Sequence, residues 1–463
     1  MATPLHPPAL ASQGHQEALP GKVGEHRPSP RRRLSFTAAC LTILGLAIGR
    51  FATTPSGQAA PAPSAKPVQS LIAVSPDAVP SLEAAVKANP ADVRGLQQLA
   101  VAYTRRAAEG DPSNYDLADR TLQRAEAIAA DDPLTMVARA TLDLSLHEFD
   151  RAREQAIAIQ TQNPDLNDVD TVLVDASVEL GRYEEAQKYL QKLVDRRAAL
   201  PSYARVSYLR ELHGDLDGAA TAMQLAINAG QPGSPDVAAV TTLLGDIEFS
   251  RGRLTAARTN YERALRMKSS LPLATLGIAR IDGAQGQLDR AIADLKNMTQ
   301  VYPLPAAVVL LGDLQQQSGD LAGAEESFAL VDAITTLQQN AGEVVDLETA
   351  QFDLDHGRLE TGVAFAETAF SERPNNIFVA DALAWARFRQ GKFTEAAALS
   401  TQAIRLGTHD AGMLFHAAAI AEANGKLEAA VRLLKRSLSL NRYQPFSVRA
   451  ERDALATKLG IKI

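Results

Sequence analysis

A single cysteine, Cys40, stands among 463 residues, which excludes an intrachain disulfide and any metal site built from several thiolates. Aromatic side chains are scarce at 5%, with one tryptophan, so close packing must rest on the Ala- and Leu-rich remainder of the 46% apolar residues. The eight histidines (His6, His15, His26, His147, His213, His356, His409, His416) are scattered, and none falls in His-Glu-x-x-His spacing. No Gly-rich phosphate loop and no nucleophile elbow occurs. The nearest approach to a metal cluster is Asp353-Leu-Asp-His356, but it immediately precedes a turn glycine, where a solvated or capping role is expected. Positive charge is also lacking where nucleic acid would need it. The net charge is −7, and residues 1–33 carry +3, which leaves −10 for the rest. The short basic runs Arg196-Arg197 and Arg432…Lys435-Arg436 read as solvated helix faces. The chain therefore reads as a non-enzyme without cofactor, metal or nucleic-acid partner.

What is present is a repeat. A signature Gly-x-aromatic/Leu-x-x-Ala recurs at Gly181–Ala186, Gly214–Ala219, Gly252–Ala257, Gly286–Ala291, Gly319–Ala324, Gly357–Gly362, Gly391–Ala396 and Gly425–Ala430. Successive glycines lie 33, 38, 34, 33, 38, 34 and 34 residues apart by subtraction. A period of about 34 corresponds to one helix-turn-helix unit, stacked on its neighbours into a solenoid. The glycine suits the left-handed position that ends helix A. The large residue two positions on is expected to pack under the turn. The small residue three further lets helix B cross helix A closely, and prolines such as Pro133, Pro164, Pro303 and Pro374 separate units. Of the two 38-residue steps, the first falls in Gly/Pro-rich Asn228–Pro235 and reads as a loop; the second, around 333–342, is expected to lengthen a helix B by a turn.

The unit Leu243-Leu-Gly-Asp-Ile-Glu-Phe-Ser-Arg-Gly-Arg-Leu-Thr-Ala-Ala-Arg-Thr-Asn-Tyr-Glu-Arg-Ala-Leu265 resembles the tetratricopeptide repeat in its Leu-Gly, Tyr and Ala positions. Earlier units follow by stepping back one period, with His147 in place of the glycine and a longer loop at Glu109–Asn114. The resemblance covers residues 90–442 and implies an all-α, right-handed superhelical solenoid of about ten repeats. Gly362 at a normally Ala position and Pro201 near one helix A depart from the pattern. Because units of such a solenoid touch only their neighbours, removal of residues 445–463 is expected to fray the last pair and leave residues 240–300 protected.

Residues 1–33 read as a disordered cytoplasmic tail ending in Arg31-Arg-Arg33. Leu34–Gly49 then runs sixteen residues without a charge, roughly 24 Å as a helix against a ~30 Å hydrocarbon core. With flanking Phe51 it suggests a transmembrane signal-anchor over 34–51, the arginines holding the N-terminus inside and the rest outside. A cleaved signal peptide, with small-residue sites at Gly57-Gln-Ala59 and Ala60-Pro-Ala62, and a cytosolic apolar stretch are the alternatives. Residues 52–80 form a Pro/Ala-rich linker, 81–440 the solenoid, and 441–463 a C-terminal segment whose amphipathic stretch 447–459 is expected to cap the last unit.

The resemblance further implies that the A helices line a concave groove. The implied groove positions include Asp246, Phe249, Arg280, Asp313, Gln316, Trp385 and Phe388. They mix acids with aromatics and lack the Lys/Asn set with which chaperone-binding members of the family grip a terminal carboxylate. The expected partner is thus an extended or helical protein segment with apolar anchors and some positive charge. Trp385, Phe388, Arg389 and Phe415 form the best candidate hot spot; alternatively Trp385 and Phe388 pack between neighbouring helices. The C-terminal end resembles those of bacterial membrane-anchored or secreted repeat proteins, which implies the bacterial cell envelope. The function expected is a non-enzymatic adaptor tethered outside the cytoplasmic membrane. Its alternatives are a soluble cytosolic or periplasmic scaffold and an accessory subunit of an envelope enzyme complex.

Overall fold

The structure, a computed structural model, describes residues 74–108, 113–340, 347–444 and 446–463. Among them are 22 α-helices, a 3-10 turn at Pro76–Ala78 and no strand. The tail 1–33 and the apolar segment 34–51 lie outside the described residues. No helix among the described residues is long and apolar enough to cross a membrane.

After α1 (Val79–Ala88) come ten helix pairs, an A helix and then a B helix. They are α2/α3 (Val93–Ala108, Ser113–Ile128), α4/α5 (Pro133–Ser145, Phe149–Gln162), α6/α7 (Asn167–Glu179, Tyr183–Arg196) and α8/α9 (Leu200–Leu212, Leu216–Ala229). Next are α10/α11 (Pro235–Ser250, Leu254–Met267), α12/α13 (Pro272–Ala284, Leu288–Thr299) and α14/α15 (Pro305–Ser318, Leu321–Asn340). The last are α16/α17 (Leu347–Asp355, Leu359–Glu372), α18/α19 (Ile377–Arg389, Phe393–Ala403) and α20/α21 (Ala411–Ala423, Leu427–Leu440), and α22 (Arg449–Lys458) ends the chain. Pro201 sits in the first turn of α8, where its missing N–H leaves no hydrogen bond unmade. The second long step lengthens α15 to 20 residues as expected, whereas the first, read as a loop, mostly lengthens α10 to 16 residues against 13 in α8 and α12.

All eight signature glycines hold φ between +69° and +89°. His147 takes the same role at +61°, the one non-glycine residue at positive φ among the described residues, with its ring stacked on Phe149 at 5.0 Å. The side-chain signature is explained by Tyr261. Its ring, fully buried in α11, wedges between Gly245 of α10 and Gly277 of α12, and a Cβ at either position would run into it. Its hydroxyl donates to Asp246 at 2.7 Å. Each A helix packs on its own B helix, and each B helix except α15 packs on the next A helix among the described residues. From α10 to α20 every A helix also touches the following A helix, with no comparable B-to-B contact among the described residues. The stack therefore bends toward its A side.

The bend brings residues far apart in sequence together, in contrast to the expectation that units meet only their neighbours. Asp77 pairs with Lys268 at 3.6 Å. The turns at Gly181, Gly214 and Gly252 lie directly against Asn375, Gly407 and Leu440, so closely that a Cβ on any of the three glycines would strike the opposing backbone. These partners are 188–194 residues apart by subtraction, five to six repeats, which is one superhelical turn. Side chains fasten the contact. Asn376 and Asn441 donate to the carbonyls of Glu179 and Phe249, at 3.0 and 2.7 Å, acceptors from the last turns of α6 and α10. The Tyr183 hydroxyl accepts the Ile377 N–H at the start of α18 (3.0 Å), and Arg373 pairs with Glu179 at 3.1 Å. Val174, Val178 and Tyr183 share one apolar cluster with Ile377, Ala380 and Met413. The large turn residues follow suit: Tyr183, Leu216 and Leu254 are buried, whereas Leu321, Leu359, Phe393 and Leu427, with no later turn above them, are exposed.

These two classes of turn separate in a stability measurement. Gly391→Ala, with open space at its Cβ, incurs only the left-handed penalty of roughly 1–2 kcal/mol. Gly181→Ala also forces Asn375 away, and is expected to cost at least about twice as much in denaturant unfolding. Equal costs would contradict the inter-turn contact.

Candidate protein-binding surface

Every residue singled out for the groove lies on an A helix: Asp246 and Phe249 on α10, Arg280 on α12, Asp313 and Gln316 on α14, Trp385, Phe388 and Arg389 on α18, and Phe415 on α20. Their accessibility differs. Phe249, Trp385 and Phe415 are 2%, 0% and 1% exposed, so their side chains belong to the core. Asp246, Arg280, Asp313, Phe388 and Arg389 are half-buried, and Gln316 is exposed.

The tryptophan cluster is brought together as the sequence suggests, with Trp385 at its centre. The indole stacks on Phe388 (4.8 Å between centroids) and on His416 (4.2 Å), with Phe415 edge-on at 5.7 Å. The Arg389 guanidinium lies 4.5 Å from the ring centroid. The Trp385 indole N–H donates to Asp355 at 3.0 Å, so a buried polar atom is satisfied. His416, buried beside it, bonds Asp381 at 2.8 Å. Burial alone would lower its pKa, but the Asp381 charge and hydrogen bond outweigh this and raise it. The Asp353–His356 stretch is bound up structurally as well. The His356 ring nitrogens contact Asp313 and the Phe352 carbonyl, both at 2.8 Å, and no three-ligand metal group occurs among the described residues.

The sequence reading misses what covers this face. Residues 441–463 run across the A helices. Tyr443 and Phe446 pack in the cluster of Phe249 and Ile281, and Phe446 also reaches that of Leu310 and Leu314. Ser447 donates to Asp355 of α16 at 2.6 Å, Glu451 pairs with Arg389 of α18 at 2.8 Å, and Lys458 pairs with Glu422 of α20 at 2.6 Å. Val448 and Ala456 join the apolar cluster of Trp385, Phe415 and Leu434. The segment thus meets all six A helices from α10 to α20, besides the last unit. Its path is set by Arg452, 1% exposed, which donates to the carbonyls of Arg442 and Gln444, each at 2.7 Å. An amphipathic pattern in 447–459 identifies a helix with an apolar side but does not say which surface receives it.

Inside this face, acids crowd together. Burial, followed by the charges of Asp246 and Asp410, pushes the Glu211 carboxyl of α8 up to about 8. Burial likewise raises Asp246, partly offset by Arg280 and the Tyr261 hydroxyl. A carboxyl raised in the folded state binds a proton that the unfolded chain releases. Its effect on stability is therefore absent below the ordinary glutamate value and grows unfavourable as pH climbs to about 8. The melting temperature is expected to fall between the ordinary glutamate value and about pH 8, and Glu211→Gln to remove much of that fall. An unchanged slope in the variant would assign it to other groups.

Comparison with known proteins agrees with this architecture. The sequence profile of the tetratricopeptide repeat matches residues 171–235, 212–272, 276–336 and 382–445. Similar solved structures include a tetratricopeptide repeat protein of Thermus thermophilus (21% identity, 38% of this chain and 92% of that one, TM-score 0.34). Another is a tetratricopeptide repeat protein of Parabacteroides merdae (21% identity, 58% and 98%, TM-score 0.32). A third is yeast Tom70 (13% identity, 83% and 92%, TM-score 0.34). No curated protein matches the sequence. With its repeated profile, its left-handed turn glycines and its ten A/B helix pairs, the chain belongs to the tetratricopeptide repeat family.

Proposed function

We propose that this chain is a non-enzymatic scaffold, tethered outside the cytoplasmic membrane by residues 34–51, whose A-helix face takes an extended or helical segment of a protein partner. A tetratricopeptide solenoid is a protein-interaction fold, and the observation that favours this face over the B-helix side is the seating of the chain's own residues 441–463. An irregular stretch anchored by Tyr443 and Phe446, followed by the helix α22, already lies across six A helices. The surface therefore suits a segment with aromatic anchors and a helical part. Burial disfavours the ionised form of Glu211, Asp246 and Asp313, so each carboxyl group would gain from positive charge brought by the partner. Phe388 and Arg389, at the rim of the tryptophan cluster, are the accessible contacts; Trp385 and Phe415 hold them from beneath.

A photo-crosslinking residue in place of Arg280, on the A-helix face, tests this in intact cells, with Glu262 on the B helix α11 as the outward control. The Arg280 position is expected to give a discrete partner adduct in the membrane fraction, and the Glu262 position none. Adducts confined to Glu262 would contradict the assignment of the face. A chain found wholly in the soluble fraction would contradict the tether.

A further inference from the structure

Within one chain, the turns of an earlier superhelical turn serve as seats for the inter-repeat loops of the next. The seats at Gly181, Gly214 and Gly252 hold the loops at Asn375, Gly407 and Leu440. Their turn residues are correspondingly covered, with Tyr183 2% exposed, Leu216 7% and Leu254 9%. The same positions later in the chain are built alike; Leu288, at the Gly286 turn, is half-buried against its own unit, and those that follow are left bare. Leu321 is 66% exposed, Leu359 37%, Phe393 39% and Leu427 55%, and nothing lies within 4 Å of a Cβ placed on Gly286, Gly319, Gly357, Gly391 or Gly425. Four large apolar side chains in one row, each the counterpart of a buried residue, form an unfilled continuation of an interface the molecule already makes.

The loops that would fill these seats also exist. The inter-repeat loops of the first units, beginning at Asn89, Ala129 and Asn163, carry exposed residues at Pro90, Asp131 and Asp165. Ile128, just before the second loop and 51% exposed, stands three residues after the small residue Ala125. Leu406 stands likewise three after Ala403, and it packs into the cluster of Tyr183 and Leu212. Ile128 is thus the free counterpart of a residue that docks.

We propose that a second copy of this chain docks head to tail on this row, its first inter-repeat loops seated on the turns at Gly286, Gly319 and Gly357. The register follows from order. The Leu440 loop occupies the Gly252 seat, so the next loop, that of Asn89 in the second copy, falls on Gly286. The Ala129 loop then falls on Gly319, which brings Ile128 of one copy to Leu321 of the other. Because the seat and the loop are different surfaces, the contact is heterologous, and because it continues the superhelical rise it does not close on itself. It yields open rows of copies rather than a dimer.

The test uses the full chain in the cells that express it, with Cys40→Ser as background and a short bismaleimide as crosslinker. Ile128→Cys combined with Leu321→Cys is expected to give a ladder of dimer, trimer and higher species. Ile128→Cys combined with Leu225→Cys, an exposed position on α9 away from the row, is expected to give none. Adding Leu359→Glu, at the Gly357 seat, to the first pair should abolish most of the ladder, and the melting temperature of the same variant shows that the chain still folds. Monomer only with the first pair, an equal ladder with the control pair, or a ladder indifferent to the glutamate in a chain that still folds would overturn the proposal.

Discussion

Contact between segments about 190 residues apart governs this molecule more than any single repeat does. A stack of helix pairs alone is a chain of nearest-neighbour interfaces. Here it bends toward its A side until the end of each later unit lands on the turn of an earlier one. Asn376 then bonds the Glu179 carbonyl at the end of α6, Asn441 adds a second donor to the Phe249 carbonyl, which already accepts the Gly252 N–H, and Tyr183 accepts an N–H that α18 leaves open. A helix-end N–H left open would otherwise cost free energy on burial. The turn glycines serve two purposes in consequence. All eight allow the left-handed reversal, but only those at Gly181, Gly214 and Gly252 must also lack a side chain so that another backbone can lie against them.

The C-terminal segment belongs to the same closure. It leaves the last unit beside Gly252, turns under the direction of Arg452, and fills the A-helix face over Phe249, Asp355 and Trp385. The buried tryptophan and the covering segment explain each other: an aromatic group on the inner side of an A helix is dry because a later part of the chain lies over it. Phe388 and Arg389 remain at the edge of this cover, which is where a protein partner would first meet the face.

The repeat was legible in the sequence because its determinants are local. A glycine at positive φ, a small residue at a helix crossing and a 34-residue period are properties of neighbouring positions. The lengthened α15 and the replacement of a turn glycine by His147 follow from the same arithmetic, whereas the Gly/Pro-rich stretch before α10 masked an extra turn of that helix. The burial of Trp385 and the path of residues 441–463 were not legible. Both depend on how far the stack bends over five to six repeats, which results from small angles summed along the chain and leaves no mark at any one position. For the same reason, identical leucines at the turn, such as Leu254 and Leu427, end in opposite environments.

The most direct test is hydrogen exchange on the full chain compared with a chain ending at Leu440. If the superhelical turns are coupled, removing residues 441–463 lowers protection in α10 and α12, near Phe249 and Ile281, as well as in α18, α20 and α21. If loss of protection is confined to α20 and α21, the units are independent and the coupling between turns contributes nothing to stability.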